Sequence, residues 1–353
     1  MSTATQTVMA TEVAEQPEAL ARTIEALRPL RSEIAEAAAG RRSVLFVGRG
    51  SSHNATVYGR YLLEVHAGVR AGSAAPSIAT HYGSELDLSD TVVVAVSQSG
   101  ETDEIVEAEA WAIRCGARTI AVTNEPGSRL ANAADVVLAT RAGTERAVPA
   151  TKSYTAQLAA MAVLAGALSP NPTALDADLD RVPGEVERLI RERDGIDAAV
   201  DALALPGEEI VTGRGLVAGT AYEIALKIEE TCLRPVRGLS YADLRHGPIA
   251  VVDPDLDAVL VAPTDGPMLP GMQELALDLR ERGVRATIGI GGDEAFAAAC
   301  DVAVAGPRLP ELVAPLALVV PGQLIVESLA LRLGLDPDAP RGLSKVTQSD
   351  PLA

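Results

Sequence analysis

The residues best suited to do chemistry fall in two clusters. The first is Ser97-Gln98-Ser99-Gly100-Glu101-Thr102. It stands between the apolar, β-branched run Val92–Val96 and the acidic stretch Glu101–Ala110. The run has the pattern of a strand buried on both faces of a parallel sheet. The stretch, with Ile105, Val106 and Ala108 among carboxylates, reads as a helix with a solvated face. Gly100 permits a tight turn. Three hydroxyls and one amide then gather over free backbone N–H groups at the positive end of a helix, an anion site that needs no lysine. One hydroxyl there would be an ordinary N-cap. Four polar donors in six residues at the end of a strand point instead to phosphate.

The second cluster is Glu223, Lys227 and Glu230 on a predicted helix over Thr220–Thr231. Spacings of four and seven place all three on one face. An exposed Glu/Lys ladder has the same spacing. Here the rest of the helix (Ile224, Ala225, Leu226, Ile228) is apolar, so the charged stripe is narrow and suited to acid–base work. His246 follows in Leu-Arg-His-Gly-Pro, an irregular segment, and a histidine titrates near neutrality. Lys345 stands alone as a lysine in the polar, Pro-rich tail Pro337–Ala353.

The elements that must position these groups alternate between strand and helix. Residues 1–11 read as disordered. A helix then runs from Glu12 to Ala39, with Gly40 ending it. Strands are predicted at Val44–Val47, Val92–Val96, Arg118–Val122 and Asp135–Ala139, with a long apolar helix over Ala150–Leu168. Ser169-Pro170-Asn171-Pro172 breaks the chain.

The second half repeats the first at a shift of roughly 165 residues. Gly48-Arg49-Gly50 recurs as Gly213-Arg214-Gly215, and Asp257–Val261 answers Val92–Val96. Ala286–Ile290, Asp301–Val304 and Val313–Leu333 complete the correspondence. The pattern predicts an α/β protein of two tandem domains, each a parallel sheet sandwiched between helices. The first spans 12–172 and holds the phosphate, the second spans 173–335 and holds the acid–base groups, and 336–353 is a tail or lid. In the second copy Ala262-Pro263-Thr264-Asp265-Gly266-Pro267 replaces the Ser-Gln-Ser-Gly turn. Proline lacks the N–H and Asp265 repels an anion, so this copy has lost the cradle.

Composition narrows the function. The chain has 353 residues, 48% hydrophobic and 22% charged, with a net charge of −18 that argues against nucleic acid or a membrane surface as partner. Cys115, Cys232 and Cys300 are scattered, as in a reducing cytoplasm. No histidine spacing suggests a metal site, and no apolar run reaches spanning length.

The motifs together resemble the sugar isomerase (SIS) domain family, in particular the isomerase half of the glutamine:fructose-6-phosphate amidotransferases. The matching stretches are Glu15-Gln16-Pro17, Ser97–Thr102, Asn124-Glu125-Pro126-Gly127-Ser128 and Ala142-Gly143-Thr144-Glu145. They continue with Thr151-Lys152, Glu223-x-x-x-Lys227-x-x-Glu230, His246-Gly247-Pro248 and Pro340-Arg341-Gly342-Leu343-Ser344-Lys345. The resemblance implies that Ser51, Ser97, Gln98, Ser99 and Thr102 hold a sugar phosphate. It implies that Glu230 moves a proton between C1 and C2, flanked by Lys227 and Glu223. His246 would open the sugar ring from the partner subunit of a homodimer, and Lys345 would meet the sugar carbonyl. Gly50, Val148, Ala150 and Ser344 would line the sugar pocket. No cofactor is implied.

Two departures bear on substrate. Met1-Ser2 offers no thiol and only eleven residues precede the helix that opens at Glu12, so glutaminase chemistry is not expected. Gly50 and Ala150 stand where the amidotransferases have Thr and Ser, which makes room at C2 of the sugar. The expectation is therefore a hexosamine 6-phosphate deaminase or isomerase. Close behind is a dehydratase that expels the C3 hydroxyl of an N-acetylhexosamine 6-phosphate. A non-catalytic sugar-phosphate sensor is a further alternative, and Gly213-x-Gly215-x-x-Ala218 alone offers weak support for a dinucleotide enzyme.

Overall fold

The computed structural model describes residues 6–345. They form two compact units. The first comprises residues 18–145, 152–179 and 344–345, and the second residues 6–17, 146–151 and 180–343. The grouping departs from a simple division at residue 172, because the N-terminal helix and the segment 146–151 belong with the second sheet. The carboxylate of Glu12 ties them together by accepting the backbone N–H groups of Arg146 and Ala147 at 2.5 and 3.3 Å.

The sheet of the first unit contains β1 (Ser43–Val47), β2 (Arg70–Ser73), β3 (Thr91–Val96), β4 (Arg118–Thr123) and β5 (Val136–Ala139). They lie in the order β2-β1-β3-β4-β5, all parallel. The second unit contains β6 (Glu208–Gly213), β7 (Val236–Ser240), β8 (Leu256–Ala262), β9 (Ala286–Gly291) and β10 (Val302–Val304), in the order β7-β6-β8-β9-β10 and again all parallel. Both orders read 2-1-3-4-5, so the duplication seen in the sequence is a duplication of topology. The central strands β3 and β8 are buried at every residue, which is what their unbroken apolar runs require.

With so few aromatic side chains, the core closes through small residues in tight contact. Helix Gly50–Leu62 packs on helix Lys152–Leu168 at Gly59, where a Cβ would meet Met161 Sδ at 2.7 Å. Lys152–Leu168 is buried on every face through Gly166. Helix Pro315–Arg332 of the second unit is long and apolar enough to cross a membrane, contrary to expectation, and 83% of that span is buried inside the protein.

The N-terminal expectations need correction. Of residues 1–11, those after Thr7 are not disordered: Thr7 caps helix Val8–Ala14 by accepting the N–H of Ala10 at 2.9 Å, and the Asp338 carboxylate accepts those of Val8 and Met9. The single helix over Glu12–Ala39 is three, Val8–Ala14, Gln16–Leu27 and Arg31–Ala37, interrupted by a 3-10 turn around Pro29. The edge strands β2 and β7 were not anticipated. The tail beyond Lys345 lies outside the described residues.

One buried group is unbalanced. Glu109, in helix Asp103–Arg114, is fully buried, and neither carboxyl oxygen has a hydrogen-bond partner among the described residues. Burial, with a smaller contribution from Asp135, pushes its pKa up to about 8. The folded pKa exceeds the unfolded one, so the group costs nothing below the unfolded pKa. The cost grows as pH rises toward the folded value and is constant above it. Glu109→Gln should therefore match the parent protein in urea unfolding near pH 4 and exceed its stability by about 4 kcal/mol near pH 8. Parallel stability curves for the two proteins would refute this account of Glu109.

Candidate active site

In a parallel sheet every strand delivers its carboxyl end to the same edge. Order 2-1-3-4-5 makes the neighbours β1 and β3 the point where the crossovers diverge, the place at which such sheets bind ligands. Ser97–Thr102 follows β3, and Ser51 lies in the first turn of helix Gly50–Leu62 after β1. The expected phosphate residues thus share one edge and one pair of adjacent strands.

The turn is held rigidly. Gly100 has φ +64, and a Cβ there would fall 2.0 Å from Ser128 Oγ. The Gln98 carbonyl accepts from Asn124 N and Thr123 Oγ1, and the Gly100 carbonyl from Leu130 N. Ser97 Oγ accepts from Gly100 N and Ser99 Oγ from Glu101 N, both at 3.2 Å. Thr102 occupies the N-cap position of helix Asp103–Arg114 without a side-chain cap bond, its hydroxyl 3.4 Å from Ser97 Oγ instead. Ordinary capping therefore does not explain Thr102.

Acidic residues at the start of this helix would repel an anion, and two arginines neutralise them. Arg49 makes a two-pronged pair with buried Glu104 at 2.6 and 2.8 Å. Arg129 reaches both Glu101 and Asp103. The backbone N–H and guanidinium of Arg129 hold the Glu101 carboxyl below its ordinary pKa. Sequence reasoning assigned neither arginine a role.

In the second unit, helix Ala218–Cys232 brings Glu223, Lys227 and Glu230 together as their spacing requires. The Lys227 ammonium pairs with Glu230 and lies 3.5 Å from Glu223 Oε1. Side-chain exposure is 1% for Lys227, 0% for Glu223 and 23% for Glu230, so of the three only Glu230 presents itself to a ligand.

Glu230 lies late in its helix. The crossover from β6 to β7 runs the helix back from the carboxyl edge to the amino edge, where Arg234 pairs with Glu209 at the start of β6. His246 ends the short helix Tyr241–Arg245, which leaves the carboxyl end of β7. Glu230 and His246 of one chain therefore stand at opposite edges of one sheet, separated by the length of β7, roughly 15 Å of strand. His246 is exposed.

The carboxyl edge of this second sheet is occupied from within. Gly266 has φ +98, and the Glu311 carboxylate packs so closely over it that a Cβ would fall 2.2 Å from Oε2. Asp265 Oδ1 accepts the Glu311 N–H at 2.7 Å. Burial, then repulsion from Asp265, raises the Glu311 pKa.

Of the expected sugar-pocket residues, Gly50 and Ser344 fall in the first unit and Val148 and Ala150 in the second. Val148 N donates to the Asp338 carbonyl at 2.9 Å. Gly50 has φ +52 with open space where a Cβ would stand, so the backbone there disfavours the β-branched residue of the amidotransferases. Lys345 is half-buried in the first unit, its Nζ 2.7 Å from the Glu145 carboxylate. Sequence reasoning quoted Glu145 within a motif but gave it no task.

The buried triplet makes a clear stability prediction. Lys227→Met leaves Glu223 charged in a dry site and should cost on the order of 3 kcal/mol in urea unfolding. The double variant Glu223→Gln/Lys227→Met should recover more than half of that loss. Additive losses would show that the two residues do not compensate each other.

Comparison with known proteins bears on the family and the fold. Residues 39–167 match the SIS domain family model. Across 96% of its length the chain is 33% identical to the glutamine–fructose-6-phosphate aminotransferase (isomerizing) of Thermococcus kodakarensis and 36% identical to that of Aeropyrum pernix. It spans only 57% and 56% of those proteins. The C-terminal domain of glucosamine-fructose-6-phosphate aminotransferase from Francisella tularensis superposes with a TM-score of 0.81 at 25% identity, covering 96% of this chain and 100% of that one. The glucosamine-6-phosphate deaminase of Thermotoga maritima shares the fold, with a TM-score of 0.74 at 23% identity, over 97% and 100% of the two chains. The duplicated sheet topology and these matches identify the chain as a member of the SIS (sugar isomerase) domain family.

Proposed function

We propose that the protein is a sugar-phosphate enzyme that moves a proton at C2 of a hexosamine 6-phosphate, as a deaminase or isomerase. The observation that carries this reading is the buried ammonium of Lys227 between two carboxylates, of which Glu230 alone is exposed to solvent. A proton on carbon beside a carbonyl is weakly acidic, so its removal needs a placed base and stabilisation of the enolate oxygen. Glu230 is the base, and Lys227 supplies the positive charge beside it.

Ser97, Gln98, Ser99, Thr102 and Ser51 take the phosphate, and Lys345 meets the carbonyl. Reprotonation at C1 leaves an imine at C2, and one water hydrolyses it to a ketose 6-phosphate and ammonia; on a sugar phosphate with a hydroxyl at C2, the same proton transfer alone interconverts aldose and ketose. His246 opens the sugar ring from a second copy of the chain in a homodimer. Its place at the edge opposite Glu230 supports that assignment, because one sugar cannot meet both residues of a single unit. The identity to the aminotransferases supports the substrate class, while their full activity involves length that this chain does not match.

A second reading rests on Gly50, whose left-handed backbone and open surroundings would admit a larger group at C2. With an N-acetyl substituent the amine leaves poorly, and the carbanion would expel the C3 hydroxyl instead.

Incubation with glucosamine 6-phosphate and with its N-acetyl form decides between them. Ammonia from the first supports the deaminase, and loss of one water from the second supports the dehydratase. No change in either substrate, and no ketose from the first, would overturn both. In the active reaction Glu230→Gln should lower kcat by roughly a thousandfold with little change in KM, and Ser99→Ala should raise KM by about tenfold while sparing kcat.

A further inference from the structure

The chain carries 30 basic residues, yet only Lys152, Lys227 and Lys345 are lysines. Surface cations are supplied by arginine. Lys152 and Lys227 are each 1% exposed, and Lys345 is 25% exposed in its side chain. Lysine at these places is therefore not serving as general surface charge.

Lys345 pairs with Glu145, whose side chain is 0% exposed. Glu145 is also held by Ser153. Ser153 donates its N–H at 3.0 Å and its hydroxyl at 2.6 Å to the carboxylate. Upstream, Asn124 holds the segment after β5 by accepting from Ala142 N and donating to the Gly143 carbonyl, at 2.8 and 2.9 Å. Burial works to raise the Glu145 pKa, and the Lys345 charge with these hydrogen bonds outweighs it, holding the carboxyl below its ordinary value. The segment lies on the carboxyl edge of the first sheet, the edge that carries Ser97–Thr102.

An arginine would make the stronger, two-pronged pair with a carboxylate. Lysine is the choice when the amine must also leave the pair, or give up its proton, and arginine does neither readily. Arg341–Ser344, which lead into Lys345, are exposed.

We propose that Glu145 is a positioning residue: it docks the Lys345 ammonium on the carboxyl edge of the first sheet and holds it there until a sugar phosphate arrives. The inference rests on the reading that Lys345 meets the sugar carbonyl.

The test is native-state acylation of amines at one fixed pH, followed by peptide mass spectrometry. Lys152 and Lys227 stay protected in folded protein and so report on integrity. In the parent protein Lys345 should react slowly. Glu145→Gln should speed its acylation at least tenfold, Glu145→Asp should give an intermediate rate, and Ser153→Ala, which leaves the ion pair in place, should change it little. Equal Lys345 rates in the parent and in Glu145→Gln would overturn the docking. Should that variant expose Lys152 and Lys227, Glu145→Asp decides instead, and a parental rate there overturns it. Acylation reads the pair whether or not any sugar phosphate is turned over, so failure of the catalytic reading is a separate outcome. With glucosamine 6-phosphate as substrate, Glu145→Gln should lower kcat about tenfold at unchanged KM, with partial recovery in Glu145→Asp. Faster acylation with parental kcat in both variants would overturn the positioning role.

Discussion

Parallel strands impose one constraint on which everything else depends: all carboxyl ends share an edge, and every crossover helix runs back to the other. In the first unit this gathers Ser51, Ser97–Thr102, Asn124 and the segment bearing Glu145 along a single edge, because each follows a strand. In the second it sends Glu230 away from that edge, because Glu230 lies near the end of a crossover helix, while His246 follows β7 and stays. The chemistry available at each edge is thus decided by where in a βαβ unit a residue falls. Glu230 thus lies away from the carboxyl edge of its own sheet, where the Glu311 carboxylate packs over Gly266.

Desolvated charge is the second constraint. A carboxylate or ammonium removed from water costs several kcal/mol unless a counter-charge and hydrogen bonds replace the solvent. Glu145 with Lys345 and Ser153, Lys227 with its two glutamates, and Glu104 with Arg49 all satisfy this. Glu109 does not, and its proton is retained instead. The distinction separates buried carboxylates that face a counter-charge from one that faces none. Charges of the first kind recur beside the proposed chemistry, whereas Glu109 has no counter-charge to keep it ionised.

Much of the frame was legible in the residues, for reasons that also explain the failures. β3 and β8 are doubly covered, so burial wrote unbroken apolar runs into them. The edge strands Arg70–Ser73 and Val236–Ser240 are covered less, carry Arg and Gly, and leave no such trace. Helix Val8–Ala14 is too short for periodicity to declare it, and its N-terminus is held by Asp338, some 330 residues away in sequence. The Glu223–Lys227–Glu230 stripe was legible because local helical spacing alone assembles it. Glu145 was not, since its partner Lys345 is 200 residues distant and only folding joins them.

Duplication followed by divergence gives the two crevices their different fates. The first has a glycine turn lined with hydroxyls, two of which accept the Gly100 and Glu101 N–H groups, and Arg49 and Arg129 pair with the carboxylates around it. The second exchanges that turn for Pro263, Asp265 and Pro267, and Glu311 is laid over Gly266. Each change there acts against an anion: proline deletes a donor, Asp265 adds repulsion, and Glu311 takes the space. Among the described residues the two turns thus differ in kind: hydroxyls around a glycine at the first, two prolines and a pair of carboxylates at the second.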